Sequence, residues 1–248
     1  MKTKEIRTAL IVGGGSGMGR SAAMALGRMG ILVFVADLHL AAARETLSNI
    51  EVPAARGAAF SVNISESDAV AGLFEELKNE TARLDLLVHT AAVLGRTVFV
   101  EEMTDEEWRQ MMGVNLDGMF YVCREAVRWM KDHKTGRIIL FSSVASLTPT
   151  PGALHYSASK GGVNMLGKTL AKEAARHNIR VNVVAPGYIE TPMLSGLPGG
   201  FSDYVIKKTP LKRLGEPEEI GSLVAYLASP EADFMTGQVL SPNGGFVI

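Results

Sequence analysis

Tyr156 and Lys160 stand four residues apart, a spacing that stacks both side chains on one face of a helix. An unperturbed phenol titrates near pH 10, and a neighbouring ammonium favours the phenolate. A tyrosine so placed can give a proton to a developing alkoxide, or take one from an alcohol, near neutral pH. The same spacing is common on ordinary helices, so alone it specifies nothing. Ser142-Ser143 adds hydroxyls at the carboxyl end of an apolar run that reads as a buried strand. Ligands bind at that end of open α/β sheets, and a hydroxyl there can hydrogen-bond a substrate oxygen.

A second constellation lies near the start of the chain, where an apolar run ends in Gly13-Gly14-Gly15-Ser16-Gly17-Met18-Gly19. Glycines permit a tight turn and let backbone N–H groups approach a pyrophosphate, towards which the next helix points its positive end. Many strand-to-helix turns need glycine for other reasons. Position sharpens the reading, because Asp37 ends the second apolar run at the distance expected of a ribose-binding acid. Its carboxylate can accept from both ribose hydroxyls and would repel a 2′-phosphate, which favours NAD(H) over NADP(H). Asp37 would serve equally as a helix cap, and the two roles are compatible.

These residues need a scaffold. Short apolar runs at 8–12, 32–36, 58–62, 84–89, 137–142, 180–184 and 238–241 read as strands, mostly without alternation, as suits parallel strands covered on both faces. Segments with helical spacing lie between them at 20–29, 40–49, 66–80 and 104–131, and 156–177 forms another. Thr104 and Glu107 make a capping box, with Asp105 and Glu106 favourable in the first turn. The alternation predicts an α/β fold, a single-domain Rossmann-type doubly wound parallel sheet of about seven strands with helices on both faces. No linker or repeat divides residues 1–248. The Gly- and Pro-rich stretch 188–213 is a candidate substrate lid.

Composition narrows the function. The net charge of -1 gives no electrostatic reason to expect nucleic acid or an anionic membrane as partner. The cluster Lys207, Lys208, Lys212, Arg213 is short and reads as a solvated face. One cysteine, Cys123, permits neither an internal disulfide nor a Cys-based metal site, and the five histidines show no paired ligand spacing, so no metal is expected. Residues 1–4 run into a strand without signal-peptide architecture, and no apolar run approaches bilayer length, so a cytoplasmic location is expected. The tripeptides Asn63-Ile64-Ser65 and Asn79-Glu80-Thr81 are then chance glycosylation matches.

Taken in order along essentially the whole chain, these motifs resemble the short-chain dehydrogenase/reductase family, in its single-domain branch. Gly13, Gly17 and Gly19 match that family's T-G-x-x-x-G-x-G loop; Ser143, thirteen residues before Tyr156, matches its substrate-orienting serine better than Ser142 does. Tyr156 and Lys160 match its Y-x-x-x-K pair, and Asn115 its helix asparagine. Pro186-Gly187 and Thr191 match the loop near the nicotinamide carboxamide, and Thr236-Gly237-Gln238 with Gly244-Gly245 the closing strand signature. The resemblance implies that Tyr156 is the acid/base, Lys160 binds the nicotinamide ribose and lowers the Tyr156 pKa, Ser143 polarises the substrate oxygen, and Asn115 holds a water that links Lys160 to solvent. It implies a cofactor site of Gly13, Gly15, Ser16, Gly17, Met18, Gly19, Asp37, Leu38, Asn63, Ile64, Ala91, Ala92, Pro186, Gly187, Ile189 and Thr191, besides Tyr156 and Lys160. A homotetramer is implied as well.

Six positions depart from the family pattern. Val12 stands where a threonine usually ties the first strand to the fourth, and His89-Thr90-Ala91-Ala92 replaces N-N-A-G. The changes fall on elements expected to face each other, which suggests compensation and makes His89 structural. Ala92 is expected to bring a methyl close to the adenosine ribose. Asn63 stands where an acid often meets the adenine amino group, and Asn243 replaces an aspartate without an evident reason.

The substrate pocket should come from residues 93–98, 144–155 and the lid. Leu94, Ala145, Leu154, Tyr188, Met193, Leu194, Phe201 and Tyr204 are candidate lining residues, an apolar set that suits a hydrophobic secondary alcohol or ketone. Arg96 and His155 are the groups available for a polar or anionic substrate. A 3-oxoacyl thioester reductase, on a carrier protein or coenzyme A, is the alternative within the class. A non-catalytic dinucleotide-binding scaffold or redox sensor is the alternative outside it.

Overall fold

The computed structural model describes residues 6–195 and 200–248. Residues 1–4, read for a leader, and 196–199, part of the candidate lid, lie outside the described residues. Among the described residues the apolar runs form one seven-stranded parallel sheet, β1 (Thr8–Val12), β2 (Leu32–Asp37), β3 (Arg56–Ser61), β4 (Leu86–His89), β5 (Gly136–Phe141), β6 (Ile179–Val184) and β7 (Val239–Leu240), in the order β3-β2-β1-β4-β5-β6-β7.

Successive side chains of each strand enter opposite layers. Ala9, Ile11, Val33 and Val35 pack with Ala22 and Leu26 of α1 (Gly17–Arg28), Leu47 of α2 (Leu40–Ser48) and Val224 of α9 (Pro217–Ala228). Leu10, Val12, Phe34 and Ala36 pack with Phe74 of α3 (Ser67–Glu80), Met119 and Val122 of α5 (Gly118–His133), and Val163 of α6 (Leu154–Ala174). This two-sided burial explains why the strand sequences lack alternation.

The boundaries differ from expectation in instructive places. The helix expected over 104–131 is divided into α4 (Asp105–Met112), a π turn (Gly113–Asp117) and α5. The capping box that starts it is present, with Thr104 Oγ1 accepting from Glu107 N–H at 3.2 Å and Glu107 Oε2 from Thr104 N–H at 2.9 Å. Helix α6 begins two residues before Tyr156 and ends at Ala174, short of the expected 177. Helix α9 was not expected, although Glu216, Pro217 and Glu219 form a second capping box there. The candidate lid is less irregular than its composition suggests, since it carries α7 (Pro192–Ser195) and α8 (Phe201–Lys208).

Candidate active site

A cleft of about 510 Å³ opens at the carboxyl ends of β1, β2 and β4, where the strand order runs outward in both directions from the β1–β4 pair. Its floor is the glycine loop. Gly13 has φ +82°, and a Cβ there would overlap the backbone of Ala91. A Cβ on Gly19 would overlap Gly13 O and Thr90 Oγ1, so the start of α1 sits against the loop only because both residues lack side chains. Ser16 caps α1 without a side-chain hydrogen bond, and the first turn holds no acidic residue. The positive end of α1 therefore keeps its donors for an anion.

Asp37 lines this cleft at the end of β2. Its Oδ2 accepts from Gly15 N–H at 2.9 Å and its Oδ1 from His39 N–H at 3.0 Å. Asp37 is not the cap of α2, whose N-cap is His39 without a side-chain hydrogen bond; it ties the glycine loop to the start of that helix, and each of its oxygens retains a further lone pair. Gly13, Ser16, Gly17, Met18, Gly19, Leu38, Asn63, Ile64, Ala91, Ala92 and Thr191 line the same cleft. Gly15 does not; it lies buried behind it and holds Asp37. Asn63 is partly engaged locally, accepting from Ser65 and donating to Glu66 Oε1 at 2.7 Å. Gln110 and Val114, from α4 and the π turn, also line the cleft and went unrecognised in the sequence.

The departures at Val12 and Thr90 compensate each other in the structure. Val12 pairs in register with His89. Thr90 Oγ1 donates across the gap to Gly13 O at 2.9 Å and Val12 O at 3.1 Å, so the threonine hydroxyl that ties β1 to β4 comes from the β4 side. His89 is fully buried, neither ring nitrogen has a partner, and burial, with the Lys160 charge, pushes its pKa down to about 3.

A second cavity of about 400 Å³ shares Met18, Thr191 and Met193 with the first and is lined by Ser143 and Tyr156. Pro186, Gly187 and Ile189 also line it, on the sheet side. Ser143 caps a short 3-10 turn, accepting from Ala145 N–H at 3.2 Å, and its side chain approaches Tyr156 closely enough to act against the rise in the phenol pKa. Ser142 is occupied elsewhere: its hydroxyl donates to Lys160 O at 2.9 Å and ties β5 to α6. Both serines line this cavity.

Lys160 lies buried beneath Tyr156, with Nζ 5.7 Å from the phenol ring centroid and donating to Phe141 O at 2.9 Å. Burial lowers its pKa to about 8. Contrary to expectation, the Tyr156 pKa is raised rather than lowered, because burial outweighs the opposing effect of Ser143. Asn115 is fully buried in the π turn. Its side chain is spent on Val93, accepting from N–H at 2.8 Å and donating to O at 2.9 Å, with Met111 Sδ and Ser159 Oγ as its further partners. It pins the loop after β4 to the π turn.

Leu94, Ala145, Tyr188, Met193, Leu194 and Phe201 line the second cavity, as expected. Leu154 and Tyr204 do not; they are 44% and 57% exposed on the outer surface. Arg96 lines the mouth and is ion-paired with Glu107. His155 is 1% exposed and packs behind Gly95 and outside the lining. Among the described residues no His, Cys, Asp and Glu cluster is placed to hold a metal, and no helix is long and apolar enough to cross a membrane.

Comparison with known proteins decides the family. The profile described as Enoyl-(Acyl carrier protein) reductase matches residues 13–247. The 3-oxoacyl-(acyl-carrier-protein) reductase of Thermotoga maritima is 35% identical over 244 residues, covering 98% of this chain and 99% of that one. This chain belongs to the short-chain dehydrogenase/reductase family. The human (3R)-3-hydroxyacyl-CoA dehydrogenase is 35% identical, covering 96% of this chain and 94% of its own. A solved 3-ketoacyl-(acyl-carrier-protein) reductase from Brucella melitensis, complexed with NADH, superposes with a TM-score of 0.92 at 29% identity, over 98% of this chain and 99% of that one. As a short-chain dehydrogenase/reductase, the protein is an oxidoreductase acting on CH–OH and C=O groups.

Proposed function

We propose that this enzyme uses NAD(H) to interconvert an apolar secondary alcohol and its ketone. One observation carries the reading: the cavity holding Ser143 and Tyr156 adjoins the cleft built on the glycine loop and Asp37, the two sharing Met18, Thr191 and Met193 as lining. The residues present fit a dinucleotide, since the start of α1 has unspent donors for a pyrophosphate and Asp37 supplies acceptors for a ribose without a cation nearby on Leu38 or Ser16. When bound, the nicotinamide supplies or accepts the hydride.

The chain's own groups handle the proton. Burial keeps the Tyr156 phenol protonated across the working pH range, so it is ready to donate to an oxygen that is gaining charge during reduction. Ser143, which lines the same cavity as Tyr156, fixes that oxygen. Lys160 is held by Phe141 O below the phenol, beside the ring. Asn115 acts through position, by fixing the loop after β4 on which Leu94 stands.

A 3-oxoacyl thioester is the second reading, supported by the names of the Thermotoga and human relatives. Initial rates with apolar ketones and with acetoacetyl-CoA, each with NADH and NADPH, separate the two. Turnover of simple ketones with NADH supports the first reading. Activity on the thioester with NADPH alone replaces it. The candidate lid is taken to be α7 and α8, whose Met193, Leu194 and Phe201 line the cavity. Exposed Trp108, Phe120 and Met165 on α4, α5 and α6 support a homotetramer; light scattering that gives a monomer at every concentration would remove that part.

A further inference from the structure

The segment after β7 folds around one side chain. Asn243 Oδ1 accepts from Gly245 N–H at 2.8 Å and from Val247 N–H at 3.4 Å, while its Nδ2 donates to Ser241 Oγ and Val247 O, both at 2.9 Å. Its own carbonyl accepts from Phe246 N–H. An aspartate could make only the accepting half of this set, because it has no N–H to give. The asparagine that the family pattern left unexplained is thus the residue that closes this turn.

The turn aims Phe246 at Tyr188, with ring centroids 5.1 Å apart and planes at 72°. Tyr188 meets Phe201, the first residue of α8, at 5.6 Å and 65°. Edge-to-face contacts of this kind are favoured by the ring quadrupoles. Tyr188 and Phe201 line the cavity that holds Ser143 and Tyr156, whereas Phe246 does not. Helix α8 has few other anchors: Val205 is its one fully buried side chain, and Tyr204, Lys207 and Lys208 are exposed. Just beyond it, Leu211 N–H donates to Gly244 O at 3.2 Å, so the same turn also holds the far end of the segment.

We infer that residues 243–246 latch the wall of the substrate cavity. Phe246, set by Asn243, positions Tyr188 and through it α8, so a segment that touches no substrate governs how closely the cavity fits one. Phe246 is a positioning residue. The consequence for substrate rests on the cavity being the carbonyl site proposed above; the latch itself rests on the contacts alone.

Amide hydrogen exchange tests the latch without requiring turnover. In Phe246→Ala and in Asn243→Ala, the amides of Phe201–Lys208 should exchange roughly tenfold faster, while those of β1, β4 and β5 stay at wild-type rates. Tyr188→Phe, which keeps both ring contacts, should retain wild-type protection. Kinetically, Phe246→Ala should raise KM for the carbonyl substrate several-fold and leave the NADH dissociation constant unchanged. Unaltered α8 exchange in both alanine variants overturns the latch. Faster exchange with an unmoved KM overturns its role in substrate fit. If the wild-type enzyme turns over no carbonyl with either nucleotide, the reading of the cavity fails, and the exchange result still decides the latch.

Discussion

The two halves of the cleft are built by different means. On the Asp37 side the floor is backbone and close-packed glycine, fixed by hydrogen bonds such as Thr90 Oγ1 to Gly13 O and Gly15 N–H to Asp37. On the Tyr156 side the walls are side chains, several of them carried on two short helices whose own anchors are sparse. A backbone-built site tolerates one residue type per position and is shared across a family. A side-chain-built site keeps its shape while its lining varies, which lets one scaffold serve many substrates.

The largest expected effect separates chemistry from binding. Tyr156→Phe removes the proton donor but keeps the ring over Lys160, so kcat should fall about 10²- to 10⁴-fold. A variant of near wild-type kcat in steady-state assays would sink the assigned mechanism. Next, Gly19→Ala forces a methyl into Gly13 O and Thr90 Oγ1. Overpacking of this kind costs about 1–3 kcal/mol, and urea denaturation should show it together with weakened NADH binding. Leu194→Ala, on the opposite side, should instead alter substrate preference with stability nearly unchanged.

How legible each half was follows from the same difference. Gly13, Asp37, Tyr156 and Lys160 could be read because backbone geometry or helical spacing restricts those positions to particular residue types. Gln110 and the π turn could not, since neither belongs to a motif with a distinctive residue type or spacing. Leu154 and Tyr204 were misassigned to the pocket because sequence proximity to a site says nothing about which way a helical face points. Asn243 was opaque for another reason: its partners all lie within four residues of it, a purely local network with no motif of its own.

Behind the backbone-built half, His89 offers a pH test. The folded protein holds this histidine neutral down to about pH 3, whereas its ordinary pKa is 6.5. Below pH 6.5 the unfolded chain therefore binds a proton that the folded chain refuses. Stability should fall with decreasing pH by about 1.4 kcal/mol per unit from this group, until the folded pKa is reached. Chemical denaturation of wild type and His89→Asn at pH 7 and pH 5 should show a shallower loss in the variant. Equal losses would mean that His89 is protonated in the folded state. The smallest effect is expected from Thr90→Val, which deletes the hydroxyl shared between Val12 O and Gly13 O at a cost of about 1 kcal/mol, visible as a lowered Tm.

The most direct test of the account is titration of the purified protein with NADH and with NADPH, followed by nicotinamide fluorescence, for wild type and Asp37→Ser. The account predicts that wild type binds NADH at least tenfold more tightly than NADPH, and that the substitution removes most of this preference by weakening NADH and admitting NADPH. Equal affinities in wild type, or a preference for NADPH that Asp37→Ser leaves unchanged, would contradict it and make Asp37 a cap for the loop and nothing more.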